Sequence, residues 1–224
     1  MAAKGLVIIG NGEIAAMANQ YFTHDSDYEV AAFAIGEDYI KQETLEGRPL
    51  VPLEQAMLLC PPGEYEAFVA IGDVQLNRVR RRHVDWCKAQ GYGLASYVSS
   101  KAFVWRDVAI GENCFILEHN VLQPFTRIGD NVTLWSGNHI GHRSVIEDDV
   151  FMASHVVVSG FCRVGRASFV GVNAALANGV EVAEDNFITM GAMITRSTQA
   201  DSIYSGNPAE RRDLSAKRYC RVRD

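Results

Sequence analysis

From Val104 onward, every sixth residue is aliphatic or Met. The series reads Val104, Ile110, Ile116, Leu122, Ile128, Leu134, Ile140, Ile146, Met152, Val158, Val164, Val170, Leu176, Val182, Ile188 and Ile194, sixteen positions without one insertion. Neither an α-helix of period 3.6 nor a flat strand of period 2 holds that register. A hexapeptide β-helix does, with each hexad forming one side of a prism and three hexads one coil. Four residues after each aliphatic comes a second column, Val108, Cys114, Asn120, Thr126, Val132, Asn138, Ser144, Val150, Val156, Cys162, Ser168, Ala174, Val180, Asn186 and Ala192. Twelve of these fifteen are small or β-branched, as a narrow interior requires. Asn120 and Asn138 lie eighteen residues apart and are expected to stack on adjacent coils, each satisfying the other's amide; the column offers no account of Asn186. Cys114 and Cys162 fall in the same column as small core residues.

Ahead of the repeat the pattern is mixed α/β. "GLVIIG", "YEVAAFAIG" and "EAFVAIG" read as buried strands, "EIAAMANQYF" as an amphipathic helix, and "VQLNRVRRRHVDWCKAQG" as a helix ended by Gly91. The expected organisation is a Rossmann-like α/β domain over residues 1–98, an all-β domain of hexapeptide repeats over 99–196, and a C-terminal tail over 197–224. The first turn, Gly10-Asn11-Gly12-Glu13-Ile14-Ala15, fits G-x-G-x-x-A. Its glycines would admit a phosphate to a helix N-terminus. Glycine is equally the residue of any tight strand-to-helix turn, and Glu13 would repel a diphosphate. Asp73 of "AIGD" would either meet a base or ribose hydroxyl or cap a helix starting near Val74.

Charge and cysteine usage bound the function. The formal net charge of -6 argues against nucleic acid as a partner, which needs clustered positive charge. No run approaches the roughly 20 apolar residues of a membrane span. Five scattered cysteines without CxxC spacing point to reduced thiols and a cytoplasmic location.

The unbroken hexads, the turn at Gly141-His142 and the closing "IYSGNPAERR" resemble bacterial hexapeptide-repeat acyltransferases. "LVIIGNGE", "EGRPLV" and "VAIGDVQLNR" narrow the likeness to sugar acyltransferases of the sialic-acid O-acetyltransferase and bacillosamine N-acetyltransferase type. The resemblance implies a left-handed parallel β-helix and a homotrimer with active sites between subunits. Apolar positions such as Phe103, Val121, Val145, Phe151, Val157 and Phe169 would supply the surface that a partner covers. It also implies acetyl-CoA as acyl donor and a nucleotide-linked sugar as acceptor. His142 of "GHRSVI" matches the family's base, and neutral imidazole suits the removal of a proton from an attacking amine or hydroxyl. Relatives commonly place an acid directly after this histidine; here Arg143 stands there, with Asn138, Glu147 and Asp148 as candidate orienters of the ring. The missing acid favours an amine acceptor, which needs less help than a hydroxyl.

By the same resemblance, cofactor contacts would come from Gly160, Gly171, Val172, Met190 and Gly191, with Asn207 and Pro208 near the nucleotide end of CoA. Gly160 is also a candidate oxyanion donor. Substrate contacts would come from Gly10, Gly12, Asp73, His155 and His139. His119 and His155 share one prism corner two coils apart, about 10 Å at the usual strand spacing. The γ-class carbonic anhydrases hold zinc on such a scaffold, but the position of their third ligand is Gly160 here, and no metal is expected. The reading that results is an acetyl-CoA-dependent N-acetyltransferase of a nucleotide-linked amino sugar. An O-acetyltransferase, a sugar-nucleotide-binding trimer with a decayed site, and a reductase using the Gly10–Ala15 turn remain open alternatives.

Overall fold

A computed structural model describes residues 4–223. The chain divides into two compact units, one extending to Gly72 and resuming over Arg80–Tyr97, the other comprising Asp73–Val79 and everything from Val98 onward. The tail after residue 196 is therefore part of the second unit, and so is Asp73.

The first unit is built on β1 (Lys4–Ile9), α1 (Glu13–His24), β2 (Tyr28–Ile35), β3 (Thr44–Leu45), β4 (Arg48–Pro52), α2 (Leu53–Leu59), β5 (Tyr65–Val69), α3 (Arg78–Ala89), of which the part from Arg80 belongs to this unit, and β6 (Gly93–Leu94). The sheet order is β3-β4-β2-β1-β5-β6, parallel except for the β3/β4 pair. Leu6, Val7, Ile8 and Ile9 are fully buried because the central strand is covered on both faces. β1 is where the strand order reverses, and the Gly10–Gly12 turn leaves its carboxyl end, the usual ligand position in open α/β sheets. The helix expected near Val74 starts instead at Arg78. Gln75, Leu76 and Asn77 take left-handed φ values of 57°, 52° and 63°, which no α-helix accommodates. Asp73 is thus not that helix's cap; its carbonyl accepts the Asn77 N–H at 3.2 Å.

The second unit is a parallel β-helix. Its two-residue strands fall in three columns at a strict spacing of eighteen. One runs through Phe103–Val104, Val121–Leu122, His139–Ile140, Val157–Val158, Ala175–Leu176 and Met193–Ile194. A second runs through Ala109–Ile110, Arg127–Ile128, Val145–Ile146, Arg163–Val164 and Glu181–Val182. The third runs through Phe115–Ile116, Thr133–Leu134, Phe151–Met152, Phe169–Val170 and Phe187–Ile188. The second residue of each strand is the hexad aliphatic, and from Ile116 to Ile194 these are buried with the small column into one core. The parallel sheets are those of the helix that the resemblance implies.

Each prism edge needs a sharp bend, and the backbone makes it the same way every time. Every sixth residue from Asn113 to Gly191 has positive φ, for example 54° at Asn113, 78° at Gly137 and 60° at His155. Identical bends keep successive coils in register, so that turn amides bond from coil to coil, as in Phe161 N–H to His142 O at 2.9 Å.

One packing expectation is corrected. Asn120 and Asn138 do not bond each other. The Asn120 amide donates to the carbonyls of Leu117, Leu134 and Trp135, at 2.9, 3.3 and 2.9 Å. Asn138 donates to Trp135 O at 2.5 Å and accepts the Val156 N–H at 2.7 Å. Asn186 follows the same rule, donating to Ala183, Glu184 and Gln199 carbonyls. Each asparagine thus ties down bend carbonyls that receive no backbone N–H among the described residues, Leu117 and Trp135 for the first two and Ala183 and Gln199 for the third, while Leu134 and Glu184 accept a backbone N–H as well. The apolar surface set is distributed over three faces. Phe103, Val121 and Val157 share one face with His139, Ala175 and Met193, while Val145 lies on the second. Phe151 and Phe169 lie on the third, where they form a stacked ladder with Phe187, centroids 5.5 and 4.6 Å apart, ended by Tyr219.

Candidate active site

His142 stands on the edge where the His139–Ile140 strand turns into Val145–Ile146. The hexad register fixes its neighbours: Pro124 one coil back, Gly160 one coil on, each eighteen residues away. The ring lies directly over Gly160, where an added Cβ would come within 2.6 Å of Cε1 and 2.8 Å of Nε2. Gly160 is therefore glycine because the imidazole occupies the space of a side chain. Phe161 meets the ring edge-on, with centroids 5.0 Å apart and planes at 82°. His142 itself is exposed.

None of the three expected orienters reaches the ring. Asn138 is committed to Trp135 and Val156. Glu147 pairs with Arg163 and accepts the Arg166 N–H, and Asp148 accepts the Asp130 N–H. The group that does reach it is Gln123, whose Oε1 accepts the His142 backbone N–H at 2.8 Å and lies 3.3 Å from Nδ1. Sequence reading missed it, although counting back one coil from Gly141 arrives at Gln123. Arg143 turns away onto the exposed Phe125 ring, 4.4 Å from its centroid. These two side chains, with Asp107 and Arg127, line a concavity of about 680 Å³ along the same edge.

Gly160 is buried, and its N–H donates to no acceptor among the described residues. An amide of that kind, one coil from a base, is available to an anionic oxygen.

The other candidates lie elsewhere. Gly171, Val172, Met190 and Gly191 sit on a different edge of the prism, shared with His119 and His155. Met190 is 77% exposed there, and Gly191 occupies the left-handed bend at φ 67°. The Gly171 position is glycine because a Cβ would meet Met190 N at 2.6 Å. The His155 ring covers Gly137 on that edge. His139 points outward from the flat face between Val121 and Val157. Within one chain, then, the proposed cofactor residues do not line a single groove: Gly160 belongs with His142, and the remaining four belong to the opposite side of the His139 face. Asn207 and Pro208 form the exposed, cis-linked turn between the strands Ile203–Ser205 and Glu210–Arg211. In the first unit, Gly10 has φ 139°, and a Cβ there would meet Ala70 O at 2.6 Å, so close backbone approach alone requires glycine. Gly12, at the start of α1, has open space around it.

Comparison with known proteins agrees with this architecture. Residues 125–160 match the family model "Bacterial transferase hexapeptide (six repeats)". A histidine-to-asparagine variant of perosamine N-acetyltransferase from Caulobacter crescentus, solved with CoA and GDP-perosamine, superposes with a TM-score of 0.84 at 25% identity, covering 93% of this chain and 96% of that one. The acetyltransferase domain of PglB from Neisseria gonorrhoeae, solved with acetyl coenzyme A, gives 0.83 at 21% identity, covering 93% and 99%, a likeness of fold. The chain thus carries the bacterial transferase hexapeptide repeat on the fold of sugar N-acetyltransferases, as the sequence resemblance had it. In sequence, mitochondrial γ carbonic anhydrase 1 of Arabidopsis thaliana is 31% identical over 150 residues, 60% of this chain and 54% of that protein. The chain spans about half the length of the curated relatives it matches. A zinc set does not fit: among the described residues no three His, Cys, Asp or Glu side chains come together, and Gly137 and Gly160 leave His119 and His155 without a third histidine. No helix among the described residues is long and apolar enough to cross a membrane.

Proposed function

We propose that this protein transfers the acetyl group of acetyl-CoA to the amino group of a nucleotide-linked amino sugar, with His142 as general base. The observation that carries the reading is the full-length fold match to a perosamine N-acetyltransferase solved with CoA and GDP-perosamine. The sugar nitrogen attacks the thioester carbonyl, the carbonyl oxygen becomes an oxyanion, and the C–S bond then breaks. The proton lost by the nitrogen passes to the imidazole and from there to the departing thiolate, so no covalent acyl-enzyme is needed. Cys114 and Cys162 are buried, with Sγ 3.1 Å from the carbonyls of Gly129 and Ala177, and burial pushes the Cys162 thiol up, which leaves neither as a nucleophile. The Gly160 N–H is the proposed oxyanion donor. Gly10 and Gly12 are proposed to border the sugar nucleotide.

The active assembly is proposed to be a homotrimer. The face bearing Phe103, Val157 and Met193, 52, 44 and 39% exposed, is an apolar stripe that another copy would cover. Such packing is also what would bring one copy's His142 edge to another's Gly171–Gly191 edge.

The test is thiol release from acetyl-CoA with a panel of UDP-, dTDP- and GDP-linked 4-amino sugars. Turnover on one of them, reduced about 10²- to 10⁴-fold by His142→Ala, is expected for a general base. Undiminished turnover in the variant would remove His142 from the mechanism.

A further inference from the structure

We propose that Gln123 is the positioning residue of this site: its side-chain oxygen holds the proton of His142 on Nδ1 and so makes Nε2 the basic atom. The inference rests on His142 being the base. The His142 backbone N–H donates to Gln123 at 2.8 Å, which requires the amide oxygen, not the NH₂, to face the histidine. That same oxygen is 3.3 Å from Nδ1. An amide oxygen only accepts, so Nδ1 must supply the hydrogen, and the lone pair is then on Nε2.

The support is rigid. Gln123 sits on the coil below, its N–H bonded to Ile140 O at 3.0 Å and its carbonyl accepting the Thr126 N–H at 3.4 Å. From the other sides, Phe161 and Gly160 confine the ring. Of the charged groups on this edge, Arg143 is held on Phe125, and Asp107 Oδ1 takes the Phe125 N–H at 3.0 Å.

A neutral orienter differs from a carboxylate in one respect. A carboxylate beside imidazole favours the protonated ring and keeps the base occupied to higher pH. The amide fixes the tautomer without that penalty. In the reaction the amine proton goes to Nε2 and on to sulfur, while the Nδ1 proton never leaves.

The competing account is that Gln123 merely caps a turn N–H, as Glu147 Oε2 does for Arg166 at 2.9 Å. Nitrogen-15 NMR of the histidine rings separates the two and needs no substrate, so it stands even where His142→Ala leaves turnover intact. The wild-type spectrum is expected to show neutral His142 protonated at Nδ1, and Gln123→Met is expected to move the proton toward Nε2. A wild-type proton on Nε2, or an unchanged tautomer in Gln123→Met, overturns the proposal. Gln123→Glu keeps the acceptor and adds charge. The acidic limb of its kcat/KM profile is expected to rise by about one pH unit. A limb that does not move also overturns the proposal, whether or not Gln123→Met folds.

Discussion

Adding one methyl group at Gly160 tests the site more sharply than removing the base. The Gly160→Ala Cβ would stand 2.6 Å from His142 Cε1, 2.8 Å from Nε2 and 3.0 Å from Nδ1. Carbon atoms settle at about 3.5–4.0 Å, so the ring must retreat by about 1 Å. A displacement of that size at a reacting group costs about 10²-fold in rate, or about 2.7 kcal/mol of barrier. Stability is expected to change little. The obstructing atoms belong to an exposed side chain that can swing away, and the Gly160 φ lies outside the left-handed region that would strain alanine. Gly141→Ala is the contrasting variant: its Cβ would meet backbone, Ser159 C at 2.5 Å and Gly160 N at 2.6 Å, which cannot yield without moving a coil. It is expected to lose about 1–3 kcal/mol of stability. The assay pairs thiol release, on the amino sugar that wild type turns over, with thermal unfolding of both variants. A Gly160→Ala protein with wild-type kcat and wild-type Tm would refute the argument, because the ring would then be working from somewhere other than its seat on Gly160.

Two further outcomes are expected. Val157→Glu puts a charge in the apolar stripe and should yield a folded monomer by size-exclusion chromatography with light scattering; an intact trimer would place the interface on another face. Burial pushes the Cys87 thiol up from 9.0 to about 12, and a raised acid pKa stabilises the fold fully below the unfolded value and loses that stabilisation as pH rises toward the folded one. Denaturant unfolding followed at Trp86 should therefore weaken by up to about 1.4 kcal/mol per pH unit above pH 9, and less steeply in Cys87→Ala; equal slopes would refute the assignment.

The repeat was legible because it is enforced by the core. A polar residue at any hexad position would be buried in a prism too narrow to hydrate it, so the period appears in the sequence without interruption. The same register predicted that His119 and His155 share an edge and that His139 faces outward. What it could not give was the direction of polar side chains. Asn120, Asn138 and Asn186 each had a choice between stacking on one another and binding bend carbonyls. The carbonyls win because the bend leaves those of Leu117, Trp135 and Ala183 without a backbone partner among the described residues. Gln123 escaped for a related reason. Its contact with His142 spans nineteen residues, one more than the coil, so it belongs to no column and depends on a side chain leaning forward. The segment Gln75–Asn77 departs from the helix its sequence suggests through three successive left-handed residues, which its composition does not announce.

The bends themselves carry a sequence signal that bears on function. The left-handed conformation costs about 1–2 kcal/mol in residues other than glycine, least in Asn and Asp. Two edges largely comply. One places Asn113, Asn131, Asp149 and Asp185 at its bends, with Ala167 among them; the other has Gly137 between its two histidines and Asn173 and Gly191 after them. The His142 edge does not comply. Before Gly179, which complies at φ 72°, it holds Phe125, Arg143 and Phe161 at φ 65°, 59° and 59°, three bulky side chains in the conformation that suits them least. Phe125 and Phe161 are also more than half exposed, so core packing does not require them. Phe161 is the residue against which the His142 ring rests, and Phe125 is the one that holds Arg143. Local preference is overruled where something other than folding sets the residue. Reading the bend column alone, without the histidine, leads to the same edge of the prism.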